Sequence, residues 1–205
     1  MEQDSKTHHV KALSRGLTPA AQQRLQRFLI EYRQSLSDDL ESVALAVIIW
    51  GSGVDVDSPM ARKRWEIREA LEAKGHAPVF SEELDDEVQD LIESGEGLLL
   101  KAWHQAKIAD FVVVLLDERA TGVISELNIC TRREVAAKVF VMAPESFRDV
   151  SFTHRATITT IEEGNGAVKW YTPSELEQCY VLTAVVKRVE ARRRLYVSER
   201  GGAVV

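Results

Sequence analysis

Apolar positions in this chain come in short dense runs, separated by longer stretches in which they recur every three to four residues. Val43 to Trp50 (VALAVIIW) is continuous and is closed by Gly51-Ser52-Gly53. Phe111 to Leu116 (FVVVLL) is the clearest such run and ends at Asp117, and Val139 to Met142 is another, with Pro144 beyond it. Runs of this length without alternation predict strands buried on both faces, as in parallel sheets. His76 to Phe80 predicts a shorter strand, and Pro78 within it assigns it to an edge. Residues 156–161, rich in threonine and isoleucine, predict a fifth strand.

The stretches between them read as helices. Leu25, Phe28, Leu29 and Tyr32 form one apolar stripe after Thr18-Pro19, predicting a helix over 18–39 that packs on the sheet. Ser58-Pro59 opens a helix that runs to about Lys74, where Gly75 closes it. Residues 85–107 are mostly helical, with a break at Ser94 to Gly97, and Gly122 to Arg133 follows the third strand as another helix. Thr172-Pro173 opens a C-terminal helix over 173–197, with a basic end at Lys187, Arg188 and Arg192 to Arg194. Strand and helix alternate, which implies right-handed crossovers and a parallel sheet. The expected fold is α/β, a flavodoxin-like three-layer sandwich of about five strands with N- and C-terminal helices. Residues 18–197 would form one domain, with flexible tails at 1–17 and 198–205.

Composition narrows the function. The 205 residues carry a formal charge of −6, which disfavours general nucleic-acid binding and suits small molecules or protein partners. Cys130 and Cys179 are isolated in helical patterns and read as reduced, buried thiols, and the five histidines are scattered, so no metal site is expected. The polar N-terminus has no apolar segment of a leader peptide, and no stretch approaches the roughly 20 apolar residues that span a bilayer. A cytoplasmic protein without membrane contact is the expectation.

In a parallel sheet of this kind, ligands bind beyond the carboxyl ends of the strands. The loop Gly51-Ser52-Gly53 with Asp55 follows the first strand, and its glycines permit close backbone approach to a ligand. Arg62 and Lys63, in the first turn of the next helix, are candidate anion contacts, while the run Arg62-Lys63-Arg64 with Arg68 reads mainly as a solvated helix face. Glu82 after the second strand is a candidate for sugar hydroxyls, or is simply solvated. After the third strand come Asp117, Gly122 and Glu126. Gly122 allows a tight turn, and Glu126 sits among Val123, Ile124, Leu127 and Ile129. A carboxylate in such company faces a site or carries a desolvation cost, and a partly desolvated carboxylate is a good nucleophile or oxocarbenium stabiliser.

The spacing D-x(4)-G-x(3)-E from Asp117 through Gly122 to Glu126, after Ile108-Ala109-Asp110 and an apolar strand, resembles the nucleoside 2-deoxyribosyltransferase-like proteins. The order of elements from about Val43 to Met142 is similar to theirs, and TIR domains share the plan. The chain departs from the transferases in having Trp50-Gly51-Ser52-Gly53 where they carry a Gly-Pro pair and an aromatic. The resemblance implies that Glu126 is the catalytic carboxylate at an N-glycosidic bond, that Asp117 assists at the sugar or base, and that Gly51 to Gly53 line the sugar-phosphate side. It implies a nucleotide such as NAD as substrate, with no cofactor, and a place in bacterial antiphage defence. The alternatives are a non-catalytic nucleotide sensor or complex subunit, with homo-oligomer or protein contacts through the terminal helices, and a scaffold in which Glu126 is structural.

Overall fold

The computed structural model describes residues 16–54, 57–84, 97–117, 127–148 and 152–201. The chain divides into two compact units, Met1–Val43 and Ala44–Val205. The first contains helix α1 (Pro19–Glu41), which starts as expected: Thr18 is the N-cap, accepts a hydrogen bond from the Ala21 N–H, and is followed by proline. None of its residues is buried.

The second unit is an α/β sandwich. Its elements in order are β1 (Ala46–Trp50), α2 (Pro59–Glu72), β2 (Ala77–Phe80), α3 (Gly97–Ile108), β3 (Phe111–Leu115), α4 (Arg133–Ala136), β4 (Val139–Pro144), α5 (Phe152–Glu163), β5 (Ala167–Tyr171), α6 (Pro173–Glu177) and α7 (Tyr180–Gly201). All strand pairs are parallel, in the order β2-β1-β3-β4-β5. The proline-bearing β2 is an edge strand, as Pro78 required. The continuous apolar runs have their predicted cause. Ile48, Trp50, Val112, Val114, Val139 and Val141 pack with Ala102 and Ala106 of α3 and with Ile158 and Ile161 of α5. The alternate positions, including Ile49, Phe111, Val113, Phe140 and Met142, are buried as well, and α7 packs against α2, β3 and β4. The fold is the flavodoxin-like three-layer sandwich.

Three local expectations need correction. Residues 156–161 are helical, within α5, and the fifth strand is Ala167–Tyr171. Thr157, Ile158 and Ile161 are the buried positions of that segment, a helical spacing that outweighs the β-branched composition. Asn165, at φ 66°, and Gly166 then turn the chain: the Gly166 N–H donates to Ile161 O at 2.8 Å, and a Cβ on Gly166 would lie 2.4 Å from Ile161 Cγ2. The C-terminal helix is two helices, because Gln178 is extended (ψ −172°) and ends α6. Cys130 is buried as expected, but Cys179, at that break, is exposed.

Candidate functional site

The strand order reverses direction between β1 and β3, and the two loops beyond their carboxyl ends meet. Ser52 Oγ donates to Asp117 Oδ2 at 2.5 Å. Beside this pair opens a cavity of about 370 Å³, lined by Ser58, Pro59 and Met60 at the start of α2, by Asp117, by Pro144 and Tyr171 at the ends of β4 and β5, and by Pro173 and Leu176 of α6. The switch point of a parallel sheet is where the general rule places a ligand. The wall is mainly apolar, with Asp117, Ser58 and Tyr171 as the lining side chains that carry polar groups. The Ser58 hydroxyl is already the N-cap of α2, accepting from the Ala61 N–H at 3.0 Å. The Tyr171 hydroxyl donates to Leu116 O, which fixes the ring, itself 2% exposed, across the ends of the central strands.

Behind the first loop lies a clamp. Arg64 is fully buried and holds the loop from behind. Its guanidinium donates to Ile49 O at 2.9 Å and Ser52 O at 2.6 Å, and forms a bidentate pair with Glu82 at 2.5 and 2.8 Å. Glu82 is thus paired with a buried arginine, with about a third of its side chain exposed. The guanidinium also lies 4.7 Å from the centre of the Phe80 ring. Gly51 is required by this clamp: a Cβ there would lie 2.9 Å from Arg64 Cδ and 3.3 Å from Leu115 O. Gly53, by contrast, has nothing within 4 Å of such an atom.

The basic run on α2 is a solvated face only at Arg62, since Lys63 and Arg64 are buried and Arg68 is largely covered. Arg62 pairs with Asp57 and is exposed. Lys63 is buried and donates to Glu66 and to Gln178 O, tying α2 to the α6–α7 break. Arg68 pairs with Glu72 and Glu83, and both contacts raise its pKa. Burial pushes the Glu83 carboxyl up. The Arg68 hydrogen bond, the Phe80 N–H and the nearby arginine charges outweigh that and hold it below its usual value. On the other side of β1, the Trp50 indole donates to Gln105 Oε1 at 3.2 Å, and Ser81 Oγ donates to the same oxygen at 2.8 Å. Neither Arg62 nor Glu82 lines the cavity; of the residues singled out in the sequence, Asp117 lines it, and Ser52 reaches it through Asp117.

Glu126, Gly122 and Asp55 lie outside the described residues. The elements flanking Glu126 are defined: Leu127 and Cys130 just after it are buried in the core. Among the described residues no cluster of three or more His, Cys, Asp or Glu could hold a metal ion, and no helix is long and apolar enough to cross a membrane. Sequence reasoning missed Arg64 as the clamp and the wall formed by Pro144, Tyr171, Pro173 and Leu176. The available signal was the pair of prolines at the ends of β4 and β5, since Thr172-Pro173 was recognised only as a helix start. No protein-family model matches this sequence, and no curated protein matches it at a significant level.

Proposed function

We propose that the protein binds a nucleoside or nucleotide in the β1–β3 cleft and cleaves or transfers its base–sugar bond. The observation that carries this reading is the placement of Asp117, at the carboxyl end of the central strand, oriented by Ser52 and opening into an apolar-walled cavity large enough for a base and sugar. Pro144, Tyr171, Pro173 and Leu176 offer the base an apolar wall, and Asp117 is the acceptor for a sugar hydroxyl. Glu126 enters through its spacing from Asp117 and Gly122. In this reading the C1′–N bond breaks with oxocarbenium character, the base leaves with the bonding electrons, and the Glu126 carboxylate stabilises or captures C1′. Water or a second acceptor then completes hydrolysis or transfer. NAD and related (deoxy)nucleotides are the proposed substrates.

A non-catalytic nucleotide sensor is the second reading. It is favoured by the fact that, among the described residues, Asp117 is the only carboxylate lining the cavity, and it is already engaged by Ser52. Base release separates the two. Wild type and Glu126→Gln are incubated with NAD and a panel of nucleosides and nucleotides, and products are resolved by chromatography. Free base from wild type that is lost in Glu126→Gln supports the glycosidase. Ligand-induced stabilisation without base release from any substrate supports the sensor.

A further inference from the structure

Helix α1 carries an apolar stripe along its whole length. Ala21, Leu25, Phe28, Leu29, Tyr32, Leu36 and Leu40 fall within one face of roughly 120° on a helical projection. None of its residues is buried: Ala21, Leu25, Leu29 and Leu40 are half-buried, and Phe28, Tyr32 and Leu36 are 60, 57 and 42% exposed. The Phe28 and Tyr32 rings stack side by side on this face, with centroids 6.1 Å apart. A helix gains most of its stability in a protein by burying such a face.

The charges on α1 are also ordered. Arg24 and Arg27 lie in the first half, Glu31 and Arg33 near the middle, and Asp38, Asp39 and Glu41 crowd the C-terminal end, where the last turn has no basic residue. Acidic groups at a helix C-terminus oppose the macrodipole, so this order is unfavourable for a helix standing alone. It becomes favourable beside a helix running the other way.

We propose that two copies of the chain associate through α1, as an antiparallel helix pair related by a two-fold axis near Glu31 and Tyr32. In an antiparallel pair each flank of the seam faces the same flank of the other helix. Arg24 lies on one such flank, Asp39 lies on the same side just inside the edge of the apolar face, and Asp38 lies further round the helix. Arg24 of each copy therefore meets the acidic end of the other, and the two-fold axis repeats the contact. Leu25 packs towards Leu36 and Leu40, and the Tyr32 rings meet at the centre. A parallel pair would instead set the two acidic ends side by side, with Asp39 next to the seam against its own copy, and would align the two macrodipoles.

Sedimentation equilibrium of the full chain tests this. The expected species is a dimer of twice the 23.0 kDa chain mass. Leu25→Glu combined with Leu36→Glu should give a monomer. Arg24→Asp alone, and Asp38→Arg with Asp39→Arg alone, should each weaken the dimer by about tenfold or more through like-charge contact, and combining the three reversals should restore it. Circular dichroism confirms that each variant is folded. A wild-type monomer at all concentrations, a dimer that survives the two glutamates, or reversals that fail to compensate would each overturn the antiparallel pair.

Discussion

Arg64 shows how one side chain shapes the candidate site without touching its cavity. Its guanidinium gathers Ile49 O, Ser52 O and Glu82, and so sets the conformation from which Ser52 orients Asp117. In the sequence it stood in a run of cations that read as a solvated face. Its burial depends on where the ends of β1 and β2 come together, which no local pattern reports. Glu82 keeps access to water, but Arg64→Ala removes the donor from Ile49 O and Ser52 O and should cost about 1–3 kcal/mol in urea denaturation. The two loop glycines should also part company. Gly51→Ala forces a methyl into the clamp and should destabilise by about 1–3 kcal/mol. Gly53→Ala meets open space and should stay within about 0.5 kcal/mol of wild type. Equal effects at the two glycines would remove the packing explanation for Gly51.

Among the elements, α7 is held to the edge of the sheet remote from the cleft. His76 Nδ1 accepts the Leu45 N–H at 3.2 Å, so its proton sits on Nε2 and is donated to Glu190 Oε1 at 2.9 Å. Arg193 donates to Lys74 O, and the Tyr196 hydroxyl donates to Asp110, whose other oxygen accepts the Ala46 N–H. Burial lowers the His76 pKa, and the Arg193 and Lys74 charges add to this against the raising influence of Glu190. The folded protein therefore binds the proton less readily than the unfolded chain. The contribution of His76 is complete above an unfolded pKa of about 6.5 and is lost as pH falls below it towards the folded value. Stability in urea should accordingly drop from about pH 7.5 to 5.5, and His76→Gln should flatten that slope. An unchanged slope in the variant would show that His76 does not carry it. At this scale strands were more legible than helices. The buried runs of β1, β3 and β4 have one reading in a parallel sheet. The helix α5 did not, because its Thr and Ile residues suit either structure until tertiary contacts choose the face.

For the whole molecule, the alternation of elements was sufficient to reach a parallel three-layer sandwich, and the topology then dictated the edge at which the cleft lies. Asp117 was legible because it closes the most apolar strand. The opposite wall was not, since Pro144, Tyr171, Pro173 and Leu176 converge only once β4 and β5 are placed beside β3. The central claim is that this cleft is the ligand site, and the most direct measurement is ligand-induced thermal stabilisation across the nucleoside and nucleotide panel. Wild type, Leu176→Trp, which fills the cavity, and Arg62→Ala, which lies outside it, are compared. At least one ligand should raise the melting temperature of wild type and of Arg62→Ala by several degrees, while Leu176→Trp should lose the response. A response that persists in Leu176→Trp, or none from any ligand in wild type, would contradict the assignment of the site.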